Sequence, residues 1–299
     1  MADLTADTHV DKPAAKSRDK LRGYWGGVWQ RLRYDYVTLF CIALIVLIIL
    51  AAILAPWISP FDPDKSSIAH RLKPVGVAPY WLGSDEQGRD MLSRIIWGGQ
   101  VSLSMGIFPV VIATIIGGTF GIVAGYYGGW VNMAIMRTMD VFFAFPSVLL
   151  AVAISGSLGG GIVNQLITLT VVFIPPLCRV AETATAQVRG MDFVDAARAS
   201  GASTFTILTR HVLINVISPV FVYGSTLISA AILLASGLSF LGLGVSPPTP
   251  DWGLMLSTLR QSIYVQPLVC AIPGLAILIT SIAFNLVSDG LRQAMDVKA

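Results

Sequence analysis

Charged positions stand far apart along this chain, and the uncharged runs between them compare well with the roughly 20 apolar residues that carry one helix across a bilayer. Residues 36–61 lie between Asp35 and Asp62, and their apolar centre predicts a first span over 37–57. The run 95–136 predicts a second over 101–125, with the Tyr126 to Trp130 stretch at an interface. In the run 141–178 the glycine-rich GSLGGG at 156–161 is a turn signal, so this run predicts a helical hairpin holding spans three and four. Span five is predicted over 213–236, followed by GLSFLGLGVSPPTP, too rich in Gly and Pro to cross. Span six is predicted over 268–288.

Composition agrees with an all-α polytopic membrane protein. Of 299 residues 55% are hydrophobic and 12% charged, about half the roughly 25% charge of a soluble domain, and the mean hydropathy is +0.73. Six spans put both termini on one side. Lys and Arg number 14 on that side and 6 on the other, so the positive-inside rule makes both ends cytoplasmic. The chain then divides into a cytoplasmic segment 1–36 whose first part is disordered in character, a first helix 37–57, an exoplasmic loop 58–100, a five-helix core 101–288 and a tail 289–299. The apolar run 37–57 is longer than a signal-peptide core and follows a long polar stretch, which reads as a retained anchor.

Several chemistries are excluded by residue pattern. Cys41, Cys178 and Cys270 are far apart with no C-x-x-C, and His9, His70 and His211 form no H-E-x-x-H pair, so neither a disulfide framework nor a metal site is expected. Basic residues form no continuous face for nucleic acid. W-G-G-Q at Trp97 to Gln100 echoes an ATPase signature, but no Gly-Lys pair exists for a phosphate loop, so nucleotide would have to bind another chain. An intramembrane serine or aspartyl enzyme lacks its base or its paired acid. An ion-coupled secondary transporter would place ionisable groups at mid-membrane, and the six predicted spans hold none.

The most informative stretch is the cytoplasmic segment from Met191 to Asn215. Asp192 is placed to cap a short helix through Val194 to Ser200, Gly201 to end it in a left-handed conformation, and Ser203 or Thr204 to cap a second helix entering span five. Ala196, Ala197, Ala199, Ser200 and Gly201 are small enough to let another protein approach, with Phe193 and Phe205 as anchors. The pattern resembles the E-A-A-x-x-x-G coupling loop of permease subunits in binding-protein-dependent ABC importers. Asp195, Ala196, Ala197 and Gly201 stand at its E, A, A and G positions, with Asp for Glu, and the pattern's later I-x-L-P is met only at Leu213. The run from Leu82 to Arg94, LGSDEQGRDMLSR, is similar to a signature of the dipeptide, oligopeptide and nickel class. FLGLGVSPPTPDWG (Phe240 to Gly253) and the run from Pro273 to Arg292 resemble the second of that class's two permease subunits.

The resemblance runs from about residue 30 to the end. It implies a type I ABC importer permease of a bacterial inner membrane, forming half of a peptide path, with nickel or another small solute as the alternative cargo. It also implies a homologous second permease, two ATP-binding subunits that hold the ATP and Mg, and an extracytoplasmic binding protein, with no cofactor in this chain. Segment 192–211 would be the ATPase-docking loop.

Three further readings come from the residues themselves. Gly117, Gly121, Gly125 and Gly129 recur every fourth position and predict close packing within the chain's own bundle. Pro109, Pro146, Pro175, Pro176 and Pro273 predict kinks. The alternating charges of Gly83 to Arg94 read as a self-paired structural segment, Trp252 as an interface anchor, and an uncharged pore wall as suited to zwitterionic peptides.

Overall fold

The computed structural model describes residues 24–295, which are helical with no named strand among them. A short α1 (Tyr24–Leu32) precedes α2 (Tyr36–Ile53), whose first N–H groups are taken by Asp35: its Oδ1 accepts from Val37 N and Thr38 N, each at 3.1 Å. The chain breaks at Leu54, ahead of Pro56, into the one-turn α3 (Ala55–Ile58). A loop with a 3-10 turn, Ile68–His70, leads to α4 (Met91–Tyr127). α4 starts ten residues before the predicted span because Asp90 caps it, accepting from Ser93 N at 2.8 Å and Ser93 Oγ at 2.6 Å. Its 37 residues reach about 55 Å, well beyond the apolar layer.

The chain reverses through Gly128 (φ +65°) into α5 (Gly129–Phe143). Here the expected third crossing takes another form. α5 and α6 (Ser147–Leu158) meet at 87° across a break at 144–146, so the predicted straight arm is a bent pair. Pro146 cannot supply the N–H that would continue α5, and α6 alone, at about 18 Å, is too short to cross. The described residues thus hold five helices long and apolar enough to span, with the bent pair as the sixth. The hairpin turn falls where the glycines predicted it, and α7 (Ile162–Arg189) returns through Pro175 and Pro176 without a break. α8 (Asp192–Ala199) and α9 (Thr204–Thr206) follow. A π-helical turn, Ile207–Val212, then joins α9 to α10 (Leu213–Phe240). GLSF, expected to be irregular, completes α10, and the chain leaves the helix only at Leu241. α11 (Trp252–Leu259), a 3-10 turn Arg260–Ser262 and α12 (Pro267–Met295) complete the fold. The end carrying α8 is called the elbow end below, and the opposite end, carrying α11, the cap end.

α4 and α7 form the centre. A Cβ built on Gly117 would lie 2.6 Å from Ile174 O, and one on Gly125 2.6 Å from Glu182 O, while one on Gly121 would meet the Cys178 carbonyl and lie 2.6 Å from Ala181 Cβ. Backbone therefore runs against backbone, as the glycine stripe predicted for the chain's own bundle. Gly129 departs from the stripe: it begins α5 with open space around it. Around this pair a single buried cluster includes Val110, Leu169, Leu177, Val194, Val212 and Leu238.

Gly118, one position off the stripe, meets only Val220 Cγ1 at 3.9 Å. Gly121→Ala is expected to cost about 2 kcal/mol or more through overpacking, whereas Gly118→Ala is neutral or stabilising by up to about 1 kcal/mol through helix propensity. Thermal midpoints of the two variants in mild detergent check the contrast.

Candidate functional site

The elbow is built from residues that alternate between a seat and a free face. In α8, Val194 is fully buried and Ala197, three positions on, is half-buried against the main core, while Asp192, Asp195, Ala196 and Ala199 point outward. Ala197 thus belongs to the seat, which corrects its expected place on the approachable face; an eight-residue helix needs two inward side chains one turn apart to be held at all. Asp192 also differs from expectation. It is the first helical residue, preceded by Met191 as a cap without a side-chain bond, so Asp192 and Asp195 act as negative charge in the first turn.

The helix ends as its sequence predicts. Gly201 takes φ +76°, Gly201 N donates to Arg198 O at 3.0 Å and Ala202 N to Ala197 O at 3.1 Å, the paired bonds of a Schellman motif. Ser203 caps the next turn, its Oγ accepting from Thr206 N at 3.3 Å. From there the chain runs through the π turn into α10 without leaving helix, so α9 with Phe205 is the first part of the fifth crossing and α8 is joined to it by the turn at Gly201.

Two further contacts fix the seat. Arg198 donates to Asp195 at 3.1 Å and lies 5.5 Å from the centre of the Tyr126 ring at the end of α4. The Phe193 ring sits 6.3 Å from that of His211. Phe193 is 39% exposed and Phe205 76% exposed, so Phe205 projects from the elbow as a free aromatic while Phe193 leans on it. Of the six predicted residues, Asp195, Ala196, Phe205 and Gly201 share the open side, Phe193 borders it, and Ala197 lies beneath.

The cap end is rigid for different reasons. Asp85 pairs with Arg89 at 2.6 Å and lies 3.5 Å from Arg94 Nε, all three side chains 3% exposed. Arg94 also donates to Pro63 O at 3.0 Å and Pro248 O at 3.3 Å, tying two loops to the start of α4. The charged run 83–94 is therefore self-paired and structural, as expected. Trp252 is 2% exposed, which corrects its reading as an interface anchor: it lies on Gly98 and Gly99, and its Nε1 donates to Ile95 O at 2.9 Å. The W-G-G-Q run is thus the seat of that indole, with Gln100 donating to Ala52 O at 2.8 Å. Asp251 caps α11, accepting from Leu254 N at 3.0 Å and from Ser102 Oγ at 2.7 Å. Burial pushes its carboxyl above the ordinary aspartate value, against the downward pull of those hydrogen bonds.

Family models match most of this architecture. Residues 117–298 match the family described as "Binding-protein-dependent transport system inner membrane component", and residues 23–74 match "N-terminal TM domain of oligopeptide transport permease C". The chain belongs to the permeases of binding-protein-dependent transport systems. Among curated relatives, the glutathione transport system permease protein GsiD of Escherichia coli O6:K15:H31 is 41% identical over 280 residues, covering 94% of this chain and 92% of the relative. GsiD of Pectobacterium atrosepticum is 40% identical over 282 residues, covering 94% of each. The permease is thus a multi-pass membrane protein of type I importer architecture. Among its described residues no three His, Cys, Asp or Glu side chains are grouped to hold a metal ion. The three cysteines are free and buried.

Polar staples between α5 and α7, one part-buried and one exposed, were missed by the sequence reading. Asn132 Nδ2 donates to Glu182 Oε1 at 2.6 Å, and Arg179 pairs with Asp140 at 2.6 Å while lying 4.6 Å from the Phe143 ring centre, so α5 is pinned across α7 next to its bend. The available signal was the placement of Asp140 and Arg179 as the two borders of one uncharged run.

At Asp251 the sign of the pH effect follows from the raised native value. Its contribution to stability is full below the ordinary aspartate value and falls as pH rises through the raised one. Asp251→Ala is expected to cost about 2 kcal/mol by removing a cap and an acceptor for Ser102. Asp251→Asn keeps one acceptor oxygen, enough for the cap at Leu254 N but not for Ser102 Oγ as well, and should flatten the decline in thermal midpoint as pH rises above the ordinary aspartate value, which a detergent melting series reads directly.

Proposed function

We propose that this permease forms one half of a translocation path for short peptides of the glutathione type, opened and closed by separate ATP-binding subunits that press on the α8 elbow. The observation that carries the reading is the elbow itself: an exposed face of Asp195, Ala196, Ala199 and the free Phe205 ring, held from behind by Val194 and Ala197 and continuous with α10. Small side chains over a fixed base suit a groove-filling contact. A push on α8 reaches the membrane interior across the short, hydrogen-bonded turn at Gly201, beyond which Phe205 already stands on the helix that continues into α10.

The cargo class is drawn from the relatives named as glutathione transport permeases and from predicted span interiors whose polar groups are uncharged Ser, Thr, Asn and Gln. A wall of that kind passes zwitterionic backbones without holding one tightly, which leaves selection to an extracytoplasmic binding protein. A homologous permease supplies the other half of the path, ATP and Mg stay with the ATPases, and both termini with the elbow lie on the cytoplasmic side, where 14 of the 20 Lys and Arg fall.

Ala196→Trp or Ala199→Trp is expected to weaken ATPase retention on the purified permease pair by roughly 30-fold, a loss of about 2 kcal/mol at a contact centre, with membrane insertion unchanged. Ala197→Trp is expected instead to lower the yield of folded protein, because that side chain is in the seat. Normal ATPase retention together with normal uptake in the Ala196 and Ala199 variants removes the docking assignment.

A further inference from the structure

The collar formed by α1 and the first turn of α2 takes no part in the path or the elbow, yet it is firmly placed. Leu32 is 7% exposed and packs among Leu291, Ala294 and Met295 at the end of α12 and Val222 of α10, and Arg31 donates to Ala294 O at 3.2 Å. α1 is thereby fixed at the elbow end, at the level where α2 begins. From this fixed position it presents Trp29, Tyr34 and Tyr36 outward, 64%, 62% and 80% exposed. Amphipathic rings at the mouth of a span are the side chains that settle at headgroup depth.

Charge decides what kind of headgroup. Arg33 stacks at 4.8 Å from the Tyr34 ring centre and donates to its hydroxyl at 2.7 Å; among the described residues it has no carboxylate partner. Arg292, exposed near the end of α12, lies off the collar, in a groove with Val180, Ser218 and Tyr223. Of the facing acids, Asp35 is engaged in capping α2 through Val37 N, Thr38 N and Thr38 Oγ, and Asp289 alone stands exposed on α12. The sequence ahead of α1 adds Lys12, Lys16, Arg18, Lys20 and Arg22 against Asp3, Asp7, Asp11 and Asp19, with the cations nearer to α1. Aromatic rings with an unneutralised guanidinium group are complementary to an anionic leaflet and gain little from a zwitterionic one.

We infer that the α1–α2 collar, through Trp29, Arg33 and Tyr34, is a binding surface for the phosphate of anionic phospholipids. The leaflet meant is the cytoplasmic one, and to that extent the inference rests on the orientation given under Proposed function.

Native mass spectrometry of the full chain in mild detergent, titrated with phosphatidylglycerol or with phosphatidylcholine of the same acyl chains, tests the surface. Phosphatidylglycerol is expected to bind more tightly, and Arg33→Gln to weaken it roughly fivefold. Arg71→Gln, at an exposed cation of the cap-end loop, changes nothing. Both arginines are exposed, so the substitutions leave the buried contacts in place. Equal affinity for the two lipids, or equal loss in the Arg33 and Arg71 variants, overturns the assignment and leaves the collar as a neutral aromatic belt or a protein contact. Both ends are open to lipid in a micelle, so the result is independent of orientation. Labelling of the Trp29→Cys variant by an impermeant maleimide in whole cells would refute the orientation alone.

Discussion

Everything in this permease is hung on the close approach of α4 and α7. Between two helices in lipid there is no hydrophobic gain of the kind that drives folding in water, because acyl chains are as apolar as leucine, so association depends on contact density. Gly117, Gly121 and Gly125 supply it by leaving no side chain between the α4 surface and the α7 backbone. The two longest-lived consequences are geometric. α4 becomes a fixed rod of 37 residues, and α7 is held in one rotation about its axis, with Arg179 and Glu182 turned toward α5.

That rod connects the two ends of the molecule. At the cap end its first turns carry Gly98, Gly99 and Ser102, on which Trp252 and Asp251 rest, and Arg94, which gathers the loops around Asp64 and Pro248. At the elbow end its last turn carries Tyr126, against which Arg198 of α8 lies. The elbow is thus supported by a static helix on one side and continues into α10 on the other. A force on its exposed face has a firm bearing and one direction of least resistance, along α10. The collar around α1 sits on the end of α12 and touches α10 at Val222.

Much of this was legible because charge is scarce. The charged positions Asp35, Asp62, Arg94, Asp140, Arg179, Asp251 and Asp289 bracket the apolar centres of the crossings, although Arg94, Asp140, Arg179 and Asp289 themselves lie within helices, and glycine spacing named the face of α4 that packs. Gly201 and Ser203 announced the elbow's turn through backbone chemistry that is local. What stayed hidden depends on tertiary context. The 87° bend at 144–146 lies in an apolar stretch where Pro146 marks a break without an angle, and the angle is set by Asp140 and Asn132 reaching α7. The side of α8 to which Ala197 turns is decided by the fully buried Val194, since small residues occupy both faces. Trp252 resembled an anchor until its glycine seat, some 150 positions earlier in the chain, was beside it. The start of α4 was missed for a related reason: a cap of Asp90 and Ser93 extends helix through charged residues that a hydropathy window discards.

The functional account comes down to where the energy enters. Uptake into proteoliposomes containing this permease and its companion measures that directly. With the ATP-binding subunits, the binding protein and ATP present, the account predicts accumulation of peptide above the outside concentration, and without the ATP-binding subunits none under any imposed proton or sodium gradient. Uphill accumulation on an ion gradient alone would contradict it.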